Sequence, residues 1–216
     1  MGEQELREAI CDVGRRLHDR GFVAAWDGNI SARLPAGSVL CSPTMCSKGR
    51  LTPDGLCVVD HTGRQLQGSS TRTSEILLHL AIYRHRPDVR AVVHSHAPHA
   101  TAFAISGEPV PTGVLAEAEY FLGPVPTVPY TLPGTQLFAD SVVPFLKGTR
   151  ALVLANHGAV TFGPTLELAW GYTEVLDAYC RVMLLSRSLG PSVQLNTAQV
   201  DELAELRRRA EGNNPK

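Results

Sequence analysis

Two short apolar runs constrain this chain more than any other feature. Residues 90–93 form a compact β-branched run leading into His94-Ser95-His96, and residues 151–155 lead into Asn156-His157-Gly158. Runs of four or five such residues have the length of buried strands rather than of helices. Around them stand segments with helical spacing. Glu3–Asp19 carries Leu6, Ile10, Val13 and Leu17 at intervals of three and four, and residues 74–85 carry Ile76, Leu77, Leu80 and Tyr83, with Pro87 as a stop. Residues 166–188 are the longest helical pattern, and residues 197–209 read as a charged terminal helix with a loose tail through Asn213 and Pro215. Shorter helix candidates are residues 98–105, 115–122 and 136–146; Val39–Cys41 and residues 56–59 and 125–130 read as strands. Strands and helices interleave, so the expected class is α/β or α+β, a sheet covered by helices.

Composition excludes several functions. With 216 residues, one domain is expected, spanning residues 1–216 with a flexible tail from about residue 210. Twenty basic against twenty-one acidic residues leave a formal charge of −1, which offers no electrostatic footprint for nucleic acid or anionic lipid. No apolar run approaches the roughly 18 to 20 residues of a membrane span, and the polar start does not read as a signal peptide. Cys11, Cys41, Cys46, Cys57 and Cys180 are odd in number and scattered, which suits buried thiols in a reducing cytoplasm. The expected partner is therefore a small molecule.

Histidine placement carries the chemical signal. His94 and His96 stand two apart at a strand end, so both imidazoles face one side of the sheet, about 7 Å apart along the backbone. That is chelate spacing for a divalent metal, and His157 ends the other run with a glycine behind it. Three imidazoles leave an open coordination position, as catalytic sites do. An acid/base group should lie nearby. Glu75 is the candidate, in the first turn of a helix behind the hydroxyl-rich segment 68–74, which itself suits an anion. Alternatively Thr73 or Ser74 caps that helix and Glu75 merely favours its dipole. His79, on the apolar helix, reads as structural.

Five motifs in order, Gly28-Asn29-Ile30-Ser31, Ser42-Pro43-Thr44, Thr73-Ser74-Glu75, His94-Ser95-His96 and Asn156-His157-Gly158, resemble those of the class II aldolase/adducin family. The resemblance implies a central mixed, largely antiparallel β-sheet covered by helices in three layers, α/β/α. It implies one divalent metal per subunit, zinc with cobalt or manganese as competitors, held by His94, His96 and His157. It further implies Glu75 as the catalytic acid/base, and Asn29, Thr44, Thr73 and Ser74 around the phosphate of a sugar phosphate. A cytoplasmic homotetramer with active sites between subunits is expected.

The implied activity is a lyase: reversible retro-aldol cleavage of a fuculose 1-phosphate-like ketose phosphate, through a metal-stabilised enediolate, to dihydroxyacetone phosphate and an aldehyde. Pentulose-phosphate 4-epimerisation and decarboxylation of a 3-oxo sugar-acid phosphate are alternatives on the same fold. A non-catalytic adducin-like module is disfavoured by the three histidines. Three positions depart from the family pattern. Met45 stands where glycine is usual, and Arg72 stands where proline is usual and could face an anion. Glu119, beside Tyr120, replaces an aspartate of the epimerases, and both are possible second acid/base groups.

Overall fold

The structure, a computed structural model, describes residues 2–212. Asn213 and Pro215 of the expected tail lie outside the described residues. The chain opens with helix α1 (Glu3–Asp19), followed by strands β1 (Asn29–Arg33), β2 (Val39–Cys41), β3 (Cys57–Val59) and β4 (Gln65–Gln67). Helix α2 (Ile76–His85) leads to β5 (Ala91–Ser95), α3 (Pro98–Ser106), α4 (Ala116–Phe121), β6 (Thr127–Val128) and α5 (Gln136–Ser141). Strands β7 (Ala151–Leu154) and β8 (Gly158–Gly163) form a hairpin, and α6 (Leu166–Ser186) and α7 (Thr197–Gly212) close the chain.

The eight strands make one sheet in the order β4-β3-β2-β1-β5-β8-β7-β6. Every neighbouring pair is antiparallel except β6 with β7. Because side chains alternate across a strand, each inner strand feeds two cores. Ile30, Leu40, Val58, Val93, Val153 and Ala159 point to a face packed by α1, α3, α4 and α6. Cys41, Val59, Val92, Leu152, Leu154, Val160 and Phe162 point to the opposite face, beneath α2 and α5. The expected three-layer arrangement, a largely antiparallel sheet between helical layers, is what the chain forms.

Helix α6 starts at Thr165, whose hydroxyl accepts from the Leu168 N–H at 3.2 Å, and α5 starts the same way at Thr135, with Phe138 N as donor. Such caps contribute about 1 kcal/mol each. Helix α2 is apolar nearly all round, burying Ile76, Leu78, Leu80, Ile82 and Tyr83. It therefore sits deep against the sheet, and its N-terminus is fixed where β1 and β5 meet. No helix among the described residues is long and apolar enough to cross a membrane.

Three strands escape the sequence pattern. In β1 the polar Asn29 and Ser31 alternate with Ile30 and Ala32, and all four are buried. In β8 the run Gly-Ala-Val-Thr-Phe-Gly, Gly158 to Gly163, is wholly buried between β5 and β7. The third, β4, is a short exposed edge strand.

Candidate active site

The site forms where β1, β5 and the β7–β8 turn meet the start of α2. Register explains the assembly: Asn29 on β1 pairs with His94 on β5, and His94 pairs in turn with Val160 on β8. His96 follows β5 directly, and His157 occupies the tight turn between β7 and β8, after Asn156 at φ +55°. Glycine is required on both flanks of β5. A Cβ on Gly28 (φ +67°) would stand 2.9 Å from the His94 carbonyl oxygen, and one on Gly158 would stand 2.6 Å from that of Ser95. Neither position has room for a side chain.

The three imidazole rings lie 4.7 to 5.1 Å apart between centroids. Their ligand-capable nitrogens fall within 4.8 Å of one another. On His94, Nδ1–H donates to the Ala159 carbonyl oxygen at 2.9 Å, and on His96, Nδ1–H donates to Asp27 Oδ2 at 3.0 Å. Those bonds fix both tautomers and leave each Nε2 with its lone pair. Nε2 of His94, Nε2 of His96 and Nδ1 of His157 are buried and have no hydrogen-bond partner. Buried nitrogens without partners are costly unless something else meets them.

Glu75 completes the cluster from the residue before α2. Its Oε2 lies 3.2 Å from His94 Nε2 and its Oε1 3.3 Å from His157 Nε2. The His94 contact is within ion-pair reach yet is not aligned as a hydrogen bond. Groups aimed at a common point between them, rather than at one another, have that geometry. Burial pushes His94 and His157 below the ordinary histidine value, His157 to about 4, so both are neutral near pH 7. Burial raises the Glu75 carboxyl, but the pull of His94, then of His157 and the Asn29 amide, brings it below its ordinary value. Three imidazoles beside an ionised carboxylate fit a divalent cation with an open position. The metal expected from the resemblance and these residues agree.

From this cluster a pocket of about 170 Å³ opens past Thr44, Thr73 and Ser74 to Trp26 at its rim. Backbone hydrogen bonds zip this wall together: Thr73 N–H to the Ser42 carbonyl oxygen at 3.1 Å, and Thr44 N–H to that of Thr71 at 2.9 Å. Asn29, Thr44, Thr73, Ser74, Glu75, His94, His96 and His157 are thus brought together on one surface. Glu119 and Tyr120 are not. The Glu119 side chain is buried and accepts the Gly113 N–H, while the Tyr120 ring packs edge-on against Phe121 at 4.9 Å. Arg72 does not face the anion wall either, because its guanidinium donates to the carbonyl oxygens of Gly63 (2.7 Å) and Thr73 (2.8 Å). Met45 adopts φ +52°, the left-handed turn a glycine would make there, with its side chain exposed.

Sequence reasoning overlooked Asp27. Its Oδ1 accepts the Ala24 N–H at 2.6 Å while Oδ2 holds His96, so the carboxylate is fixed at both oxygens. The only signal was its place directly before the Gly28-Asn29 motif.

The comparisons bear on this geometry. The family model of the class II aldolase and adducin N-terminal domain matches residues 8–184. A 3-oxo-tetronate 4-phosphate decarboxylase of Escherichia coli (strain K12) is 33% identical over 209 residues, covering 95% of this chain and 96% of the relative. An L-fuculose phosphate aldolase of Methanococcus vannielii is 37% identical over 178 residues, covering 82% and 94%. The solved structure of YgbL from Escherichia coli superposes with a TM-score of 0.88 at 31% identity, covering 94% of this chain and 99% of that one. By sequence and by fold, this chain belongs to the class II aldolase/adducin family, and it is an enzyme of that superfamily.

Proposed function

We propose that the protein is a divalent-metal-dependent lyase that breaks a carbon–carbon bond near the ketone of a small phosphorylated sugar or sugar acid. One observation carries the reading: three imidazoles with ligand-capable nitrogens within 4.8 Å of one another and a buried carboxylate meet beside a wall of hydroxyls. When bound, the cation supplies a Lewis acid that stabilises the charge of an enediolate. His94, His96 and His157 would hold it. Three imidazoles suit zinc, with cobalt and manganese as competitors. Thr44, Thr73 and Ser74 offer hydroxyls to a phosphate, and Glu75 moves a proton at the enediolate carbon.

Within that chemistry, decarboxylation of a 3-oxo sugar-acid phosphate asks least of this chain. Losing carbon dioxide from an ionised substrate carboxylate leaves an enediolate carbon that takes up one proton, which Glu75, ionised at rest, would take from solvent water and relay. Retro-aldol cleavage also requires a base for the hydroxyl on the departing fragment. Of the two carboxylates in the pocket wall, Asp27 has both oxygens engaged in hydrogen bonds, which leaves Glu75 for proton transfer. With the Arg72 guanidinium turned away, no cationic side chain of the described pocket wall would tie down a departing carboxylate. Decarboxylases also stand among the relatives that span nearly the whole chain.

Retro-aldol cleavage of a fuculose 1-phosphate-like substrate is the second reading, supported by the aldolase relatives. It calls for a second acid/base group from another copy, as in a tetramer with shared sites. Epimerisation has less support, because Glu119 is committed to Gly113 within its own chain.

The test is a product screen on zinc-, cobalt- and manganese-loaded protein. Offered 3-oxo-tetronate 4-phosphate, fuculose 1-phosphate and ribulose 5-phosphate, the enzyme should release carbon dioxide from the first. Release of dihydroxyacetone phosphate from the second alone would transfer the assignment to the aldolase reading. Turnover of none by any metal form would refute the lyase assignment.

A further inference from the structure

Behind the pocket wall, under α2, runs a file of buried polar side chains that the proposed chemistry leaves without a task. Asn29 Nδ2 donates to Glu75 Oε2 at 2.8 Å, and His79 Nε2 lies 2.5 Å from Asn29 Oδ1. His79 Nδ1 lies 2.6 Å from Ser31 Oγ, which lies 2.8 Å from Tyr83 OH. The arrangement follows from two periodicities. Glu75 at the cap of α2, then His79 and Tyr83 within it, are spaced four apart along one side, and Asn29 and Ser31 two apart on one face of β1. Four helical residues rise about 6 Å and two strand residues about 6.7 Å, so the two rows interleave like teeth.

The file has one consistent direction. Glu75 as a carboxylate can only accept, so Asn29 must turn its NH₂ towards Glu75 and its carbonyl oxygen towards His79. His79 must then carry its proton on Nε2 and accept on Nδ1. Ser31 donates to that nitrogen, and Tyr83 donates to Ser31. A reversed file would set the Asn29 carbonyl oxygen against the Glu75 carboxylate. His79 and Ser31 are 0% exposed and Tyr83 3%, so no solvent competes for these bonds.

We propose that His79 is a positioning residue for Glu75: it locks the Asn29 carboxamide in one orientation, and Asn29 pins Oε2 so that Oε1 is left as the working oxygen. The proposal rests on the reading of Glu75 as the proton-transfer group. It moves the Asn29 side chain from the phosphate wall, where the family resemblance put it, to proton transfer. The file therefore governs turnover and not anion affinity.

The test compares His79→Leu, His79→Gln and Tyr83→Phe with the wild type, all metal-loaded and with rates normalised to metal content. Protein labelled with ¹⁵N-asparagine reports the Asn29 side-chain amide by NMR. Inorganic phosphate, titrated calorimetrically, reports anion affinity. In His79→Leu the distinctive hydrogen-bonded Asn29 amide signal should vanish and kcat should fall about tenfold or more, the size expected when a catalytic group is misplaced. KM and phosphate affinity should stay within about twofold. His79→Gln, which can return an N–H to the place of Nε2, should recover most of both signals. Tyr83→Phe removes one distal bond and should lower kcat about two- to fivefold; it carries the test if His79→Leu does not fold.

An unchanged Asn29 amide and kcat in His79→Leu would overturn the proposal. Equal losses in His79→Leu and His79→Gln, with weakened phosphate binding, would reduce His79 to a structural residue and overturn it too. A wild type that turns over none of the substrates would sink the lyase reading instead. The Asn29 amide would then still decide whether His79 sets its orientation.

Discussion

Removing the carboxylate of Asp27 should weaken the metal site without touching a ligand. Asp27 Oδ2 receives the His96 Nδ1 proton at 3.0 Å, and Oδ1 is held by the Ala24 N–H at 2.6 Å, so the carboxylate is itself immobile. The pair does two things for a cation: it keeps the His96 Nε2 lone pair pointing into the cluster, and its charge makes the ring a better donor. Burial pushes the Asp27 carboxyl up, but the bonds from His96 and Ala24 bring it below its ordinary value, so the charge is present near neutral pH. In Asp27→Ala the ring loses its anchor, becomes free to turn or to move its proton to Nε2, and loses the charge. Outer partners of this type are each worth about 10- to 100-fold in metal affinity, or about 1.4 to 2.8 kcal/mol.

Asp27→Asn separates the contributions, because its carbonyl oxygen can still accept from His96 while the charge is gone. It should fall between wild type and Asp27→Ala. Competition for zinc against a chromophoric chelator, at constant pH and ionic strength, measures both. A thermal melt of the metal-free variants controls for damage to the turn that Ala24 closes. Zinc affinity of Asp27→Ala within about twofold of wild type would refute the coupling, as would Asp27→Asn binding no better than Asp27→Ala.

Replacing His94, His96 or His157 by Ala should empty the site while leaving the fold intact; full metal occupancy by mass spectrometry in all three variants would undo the assignment. Glu75→Gln should retain metal but lower turnover about 100-fold or more, with solvent exchange at the enediolate carbon falling in parallel. Unslowed exchange would exclude Glu75 as the proton-transfer group. Stability should fall on acidification partly through His79, which burial pushes from 6.5 to about 3. The unfolded chain takes up that proton first, so the neutral folded form loses stability as pH falls from about 6.5 towards 3, at about 1.4 kcal/mol per pH unit well below 6.5. Urea unfolding of metal-free protein between pH 7 and 5 should show a shallower pH slope in His79→Gln; equal slopes would refute the assignment.

Much of this was legible in the residues themselves. Helical periodicity is local, so the patterns of α1, α2 and α6 could be read within a residue or two of their observed starts. The runs before His94 and His157 are apolar because both strands have neighbours on each side and helices over both faces, and their histidines mark the rim. Other elements hide because their character comes from neighbours distant in sequence. β8 is short and bounded by Gly158 and Gly163, which read as loop residues, and it becomes a strand by filling the space between β5 and β7. β1 contains Asn29 and Ser31, polar residues that are tolerable in a buried strand only because Glu75, His79 and Tyr83 meet them across α2.

The site divides the same way. Spacing announces His94 and His96 because a strand repeats every two residues, whatever surrounds it. That His157 joins them, that Asp27 reaches a histidine 69 positions away, and that Glu119 turns inward to Gly113 are products of strand register and burial. A sequence specifies which groups are able to bind a metal or carry a proton. Only the packed structure decides which of them lose their water and point at the same place, because both depend on contacts between segments that no local pattern records.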